Sequence, residues 1–500
     1  MKLSLKPKGI KILFLACEAA PFIKIGGLGE VMSSLPKALR ELGHDARVMI
    51  PNYSSIQKEK FPMETIMEGI SIPSGREEHP ITCNVKSTFV EGSNTPSYFL
   101  ENMEYFEQRG NVYGYDDDAA RFAVFSRGAL EFVRQNKEWV PDIIVASDWQ
   151  GGLIPNLMKT EYANDPVISK IAVVFCIHNL HFQGMFDHNF INELDYDDGR
   201  STIPTIDDPR MLKINFMRRG ILFADVVNTV SPSYAQEITT SESGELLDQL
   251  LSERRSRLSG ILNGINYVSN DPSSNPYVEY AYSVKSIKER QKNKEVLQQK
   301  FNLEKEPNTP VVAIVSRLTE QKGLDLITET IGPLLDNFKL QLIVLGSGDS
   351  RYLGFFGELE KKYPQVATHL SFDNTLPHVI YAGADIILVP SRFEPCGLTQ
   401  MEAMRYGALP LVRKTGGLAD SVIDYNRATN TGTGFVFQNY DKYAFFGAFV
   451  RALETYKHPS EWLAIQKRAM IADFSWKKSA KDYVSLFKKA IAFNSEENNK

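Results

Sequence analysis

Short apolar runs bounded by glycine, proline or polar clusters recur along the chain, at residues 12–16, 47–50, 143–146, 171–177, 311–315, 340–345, 385–389 and 409–412. They are continuous rather than alternating, which is the pattern of strands buried on both faces. Between the first two runs, Val31, Leu35, Leu39 and Leu42 recur at helical spacing and stop at Gly43. This predicts an amphipathic helix between two strands, a βαβ unit, and so a parallel sheet. The runs fall into two groups separated by a polar stretch, 270–283, and a charged one, 285–300. The expected architecture is α/β, with two doubly wound Rossmann-like domains at 1–270 and 301–475. Residues 271–300 are expected to be a linker and hinge containing a solvated helix. Residues 476–500 are expected to form a C-terminal helix, able to cross back to the first domain, with a frayed FNSEENNK end.

A chain of 500 residues is too long for one core, which agrees with two domains. No apolar run approaches the ~18 residues of a membrane span, and the opening MKLSLKPKGI lacks the apolar core of a secretory leader. A net charge of −5 argues against a nucleic-acid surface. The four cysteines, Cys17, Cys83, Cys176 and Cys396, have no metal-type spacing, which suggests reduced thiols and a cytoplasmic protein.

In a doubly wound sheet, chemistry gathers at the carboxyl ends of the strands. Here those ends are followed by Lys24 with Gly26 and Gly27, by Asp148, by His178, by Arg317 with Lys322, by Gly346 and Gly348, and by Glu394. The glycines of KIGGLGEV suit close approach to a phosphate at a helix N-terminus, and GGL at Gly416 to Leu418 echoes them. Arg317 and Lys322 suit stabilisation of a departing diphosphate by preorganised cations. His178 and His181 lack a nearby third metal ligand. The acidic runs 116–118 and 195–198 follow no strand and read as solvated loop carboxylates, not a Mg²⁺ site.

The segment SRFEPCGLTQMEAMRYG places seven residues between Glu394 and Glu402. Together with KIGGLGEV, SDWQGGL, HNL, LNGIN, TGGLAD and the late FSWKKSAKDY, it resembles the bacterial-type glycogen synthases and starch synthases, which are retaining GT-B glycosyltransferases. The resemblance implies two domains facing across a cleft. It also implies transfer of glucose from ADP-glucose or UDP-glucose to the non-reducing end of an α-1,4-glucan (glycogen, starch or maltooligosaccharide), with retention through front-face attack. The nucleotide sugar is then a substrate, and no cofactor, metal, nucleic acid or membrane is expected.

Residue by residue, the resemblance marks Glu394, His178, Asp148, Arg317 and Lys322 as catalytic. It marks Lys24, Gly26, Gly27, Glu30, Asn263, Cys396, Gly397, Leu398, Thr415, Gly416 and Gly417 as substrate-binding. Within the family Lys24 would contact the sugar nucleotide, Arg317 and Lys322 its phosphates, and His178 the transferred glucose. The chain departs from the family pattern at Glu30 and Asn266, where aspartate is usual, and at Ser147 and Gln150, where histidine is usual. The alternatives are a sucrose- or trehalose-forming GT-B transferase and a non-catalytic glucan-binding homologue.

Overall fold

The computed structural model describes residues 9–74, 80–89, 95–185 and 197–498. Asp195, in the second acidic run, and the last two residues of the expected frayed end lie outside that set. The chain divides into two compact units. The first comprises residues 1–230, 235–261 and 476–500, and the second comprises 231–234 and 262–475.

In the first unit nine described strands form one sheet: β1 (Lys11–Leu15), β2 (Asp45–Pro51), β3 (Glu64–Ile72), β4 (Ile81–Phe89), β5 (Pro96–Glu101), β6 (Ile143–Ser147), β7 (Ala172–Ile177), β8 (Val226–Thr229) and β9 (Leu258–Gly260). Their order is β3-β4-β5-β2-β1-β6-β7-β8-β9. β1 lies parallel between β2 and β6, and Ile12 through Leu15 are 0% exposed, so the apolar run covers both faces of the sheet as its pattern predicts. The edge β3-β4-β5 is antiparallel. It was not visible as apolar runs because β3 is mostly exposed and β4 only partly buried.

In the second unit six strands run in the order β12-β11-β10-β13-β14-β15. They are β10 (Val311–Val315), β11 (Gln341–Leu345), β12 (Val366–His369), β13 (Ile386–Val389), β14 (Leu409–Arg413) and β15 (Phe435–Phe437). All the pairings in this sheet are parallel. Both units are therefore Rossmann-like α/β layers. Among the described residues no helix is long and apolar enough to cross a membrane.

Three expectations differ from the structure. Residues 271–300 are packed into the second unit. Asn275 donates to the Tyr406 hydroxyl at 3.0 Å, and the buried Tyr282 hydroxyl donates to the Tyr406 carbonyl at 2.7 Å. The helix Arg290–Lys300 is not a solvated one, because Lys294 is 1% exposed and meets Asp385, at the foot of β13, at 2.8 Å. A buried carboxylate needs a cation or several hydrogen bonds, and here a charge-rich helix supplies the cation. The tail stays helical through Asn498. Asn494 is buried there, donates to the Ser169 carbonyl and accepts from Lys159 at 2.8 Å. That helix, Trp476–Asn498, packs on the helix Gly27–Glu41 and on β7 within the first unit.

Two acidic runs also behave differently from solvated loops. Asp118 is buried and paired with the fully buried Arg121 at 2.5 Å, and Asp197 is buried against Arg219 at 2.7 Å.

Candidate active site

In the first unit the loop after β1 turns back into the helix Gly27–Glu41, and Gly26 and Gly27 lie exposed at its entry. Lys24 is 53% exposed at the side chain and pairs with Glu30 at 3.1 Å, while Ser34 holds the other oxygen of Glu30 at 3.2 Å. The longer Glu30 thus reaches Lys24 from one turn into the helix. Three amides of this loop are taken, because the carboxylate of Glu18 accepts from Ile25, from Gly26 at 3.0 Å and from Gly29 at 3.0 Å. At those three amides the glycine motif is wrapped around an internal anion.

Asp148 and His178 follow β6 and β7, neighbouring parallel strands. Asp148 sits at φ 50°, a left-handed conformation uncommon outside glycine. That turn aims one carboxylate oxygen at the backbone N–H of His178, 2.7 Å away, and of Asn179, 3.3 Å away. Burial pushes the Asp148 carboxyl up to about 7 against those two bonds, and the charge of Glu18 adds to the rise. Burial likewise lowers His178 to about 4, so its imidazole is neutral at pH 7. Its Nε2 has no hydrogen-bond partner among the described residues. A neutral, orphaned imidazole nitrogen at a strand end is suited to hydrogen-bonding a sugar hydroxyl rather than to general acid catalysis. Ser147 Oγ and Gln150 Oε1, at two of the departures from the family pattern, are also buried and unpartnered among the described residues.

In the second unit the adjacent strands β10 and β13 carry the cations and the carboxylate. Lys322 Nζ contacts Glu394 Oε2 at 2.6 Å, and the buried Ser391 hydroxyl donates to the same oxygen at 3.0 Å. This meeting depends on Gly323, at φ 70°, where a Cβ would lie 2.0 Å from the Pro390 carbonyl. Arg317 stands exposed after β10, and its guanidinium has no protein partner among the described residues. Its loop is laced to Gly346–Gly348 by the Leu318 amide, which donates to the Ser347 carbonyl at 2.8 Å.

Gly416 and Gly417 serve the Glu394 loop. A Cβ on Gly416 would lie 2.0 Å from the Glu394 carbonyl, and one on Gly417 would lie 2.0 Å from the Cys396 carbonyl. The Gly417 amide donates to the Glu394 carbonyl at 3.1 Å. Thr415 stands at the entry of the short helix Gly416–Ser421, and Leu398 precedes the helix Thr399–Arg405. Gly397 adopts φ 70° between Cys396 and that helix. Cys396 is buried, its thiol pushed up to about 12 by desolvation, beside the backbone of Asn263. Asn263 is itself buried, with Oδ1 unpartnered among the described residues.

Glu402 is not part of this group. It lies on the helix Thr399–Arg405, where its carboxylate accepts from the Tyr381 hydroxyl. Sequence reading missed Glu18 and Ser391. Each is a polar residue within three positions of a buried strand's end, which is the signal that could have marked them. No group of three His, Cys, Asp or Glu side chains able to hold a metal occurs among the described residues.

Comparison with known proteins identifies the family. Residues 11–253 match the starch synthase catalytic domain family and residues 295–468 match glycosyl transferases group 1. The chain is 41% identical to a glycogen synthase of Geobacillus stearothermophilus over 485 residues, covering 96% of this chain and 98% of that protein. It is 42% identical to one from Clostridium perfringens over 489 residues, covering 97% and 99%. Among solved structures, the catalytic domain of starch synthase IV from Arabidopsis thaliana, bound to ADP and acarbose, superimposes with a TM-score of 0.84 at 33% identity, covering 97% of this chain and 100% of that one. Sucrose-phosphate synthase from Thermosynechococcus elongatus, at 16% identity and a TM-score of 0.59 over 96% and 99% of the two chains, shares the fold. Matched over nearly its whole length, the chain belongs to the glycogen synthase and starch synthase family of retaining GT-B glycosyltransferases.

Proposed function

We propose that this glycosyltransferase moves glucose from ADP-glucose to the non-reducing end of an α-1,4-glucan and keeps the α configuration. The observation that carries this reading is the Lys322–Glu394 contact of 2.6 Å together with Arg317, unpartnered among the described residues, on loops that follow neighbouring strands of one sheet. A departing diphosphate needs cations fixed before it leaves, and Arg317 and Lys322 supply them. Glu394, anchored by Ser391, orients the sugar and opposes positive charge developing at its anomeric carbon. His178, neutral at pH 7, orients a hydroxyl of the transferred glucose. In the front-face course the leaving phosphate oxygen takes the proton of the acceptor hydroxyl as the new bond forms on the same face. Lys24 meets the sugar nucleotide, and Gly26, Gly27, Asn263, Cys396, Gly397, Leu398, Thr415, Gly416 and Gly417 shape the substrate-binding loops.

ADP-glucose is favoured over UDP-glucose because the Arabidopsis relative was solved with ADP, and the acarbose beside it supports a glucan acceptor. The cation pair supports a reaction without a metal, with activity within about twofold of normal in excess EDTA. Four free, buried cysteines support work in a reducing compartment, the cytoplasm.

The test is incorporation of labelled glucose into glycogen from ADP-glucose and from UDP-glucose, with the anomeric configuration read by NMR. Sucrose- or trehalose-type acceptors serve as the contrasting arm. Transfer only to a monosaccharide acceptor, or glycogen binding without transfer, would replace this reading.

A further inference from the structure

Glu18 stands three residues past the end of β1 and is 3% exposed. A buried carboxylate needs either a cation or several hydrogen bonds. No basic side chain pairs with Glu18 among the described residues. Its partners are backbone amides, those of Ile25, of Gly26 at 3.0 and 3.2 Å, and of Gly29 at 3.0 Å. These amides open the helix Gly27–Glu41, where the aligned peptide dipoles place roughly half a positive charge. Gly29 lets the carboxylate sit this close, because a Cβ there would lie 3.3 Å from Glu18 Oε2 and 3.1 Å from Lys24 Cγ. A further backbone bond, from the Ala20 amide to the Gly29 carbonyl at 3.0 Å, ties the strand side of the loop to its helix side.

The amides at 25, 26 and 29 are thus occupied by the protein's own anion. What the loop offers outward is the Lys24 side chain and the exposed glycines Gly26 and Gly27. The charge of Glu18 also reaches Asp148 and His178, so it lies behind the same strand-end surface.

We propose that Glu18 is a positioning residue for the donor: its carboxylate substitutes for a phosphate in the amide cradle and so fixes residues 24–29 in the conformation that presents Lys24 to the sugar nucleotide. This rests on the proposed glucosyltransfer and deepens it. The glycine loop then acts by holding a lysine in place, and its amides at 25, 26 and 29 are spent on Glu18.

Three variants, Glu18→Gln, Glu18→Asp and Lys24→Ala, and the double variant Glu18→Gln with Lys24→Ala, test it in the full-length protein. In Glu18→Gln, ADP-glucose KM should rise about tenfold while kcat changes by less than about threefold and glucan KM holds. Glu18→Asp keeps the charge with shorter reach and should fall between. Calorimetric ADP affinity should weaken in parallel. The double variant should be no worse than about twofold beyond Lys24→Ala alone, because the two residues act through one contact. Hydrogen exchange at the amides of Ile25, Gly26 and Gly29, measured without substrate, should quicken at least about tenfold in Glu18→Gln. Tighter ADP binding in Glu18→Gln would overturn the proposal, since it would make Glu18 a competitor of the phosphate. An unchanged donor KM, or effects that multiply in the double variant, would overturn it as well. Exchange is read without turnover, so loss of the glucosyltransfer reading itself would show separately as a wild-type protein inert with every nucleotide sugar.

Discussion

Lys322 and Glu394 neutralise one another at 2.6 Å, with the two side chains 18% and 8% exposed, so each is already placed when a donor enters. Lys322→Ala should lower kcat more than about tenfold, which is about 1.4 kcal/mol of transition-state stabilisation. Glu394→Ala and Glu394→Gln separate charge from orientation. If charge dominates, both fall by on the order of a thousandfold in kcat; if orientation dominates, the glutamine form keeps substantially more, and donor KM moves less than kcat in either case. Steady-state kinetics with near-normal kcat in Glu394→Ala would remove its catalytic role.

Asp148 gives a pH prediction at the same scale. Its folded pKa, about 7, lies above the unfolded value of about 3.9. The folded state therefore holds an extra proton between those values, and the stability that this proton contributes is lost as pH rises through 7. Asp148→Asn does not titrate. Its melting temperature relative to the parent should climb from about pH 4 to pH 7 and then level off, as followed by thermal melts across that range. A difference that is flat with pH would contradict the burial assigned to this carboxyl.

At the scale of elements, the loops that carry chemistry are held by close backbone approaches. Gly416 combines φ 43° with a Cβ position 2.0 Å from the Glu394 carbonyl. Gly416→Ala must push the Glu394 loop outward, and a shift of about 1 Å at a positioned group costs on the order of a hundredfold in rate. The expected result is that loss in kcat with circular dichroism close to the parent's. The helix Arg290–Lys300 makes a second case. Lys294 and Asp385 form a buried pair, so Lys294→Met leaves a carboxylate with the Val311 amide at 2.9 Å and the more distant Arg290 at 3.7 Å. Denaturant unfolding should report a loss on the order of 3 kcal/mol.

At the scale of the molecule, the chain's last helix completes its first unit. Trp476, Tyr483, Leu486 and Phe487 on the helix Trp476–Asn498 are buried there. Each such side chain contributes about 1.5–3 kcal/mol of burial as an upper estimate. The far end is clasped by Lys159 with Asn494 at 2.8 Å and by Arg257 with Glu497 at 2.7 Å. Ending the chain at Ser475 should therefore lower the melting temperature of the first unit by well over about ten degrees or leave the protein insoluble. A truncated protein that melts like the parent would show the helix to be dispensable.

The parallel cores were legible in the chain because strands buried on both faces must be apolar throughout, so Ile12–Leu15, Val311–Val315 and Ile386–Val389 announce themselves locally. Residues just past those runs, Asp148, His178, Arg317, Lys322 and Glu394, were legible for the same reason, since a parallel sheet delivers the residues after each strand to one edge. The half-exposed β3 and β4 were not legible, because their pairing depends on a neighbour that the local pattern does not contain. Partners distant in the chain were equally invisible. Lys294 looked solvated until Asp385, far along the chain, supplied its counter-charge. The glycines of the first loop looked open until Glu18 took the amides of Gly26 and Gly29, and Gly416 and Gly417 looked like an echo of them until the Glu394 loop came to rest there. Burial and charge pairing depend on what surrounds a residue in space, so composition and spacing placed the chemistry at the strand ends, and only the folded chain decided which groups already hold one another there.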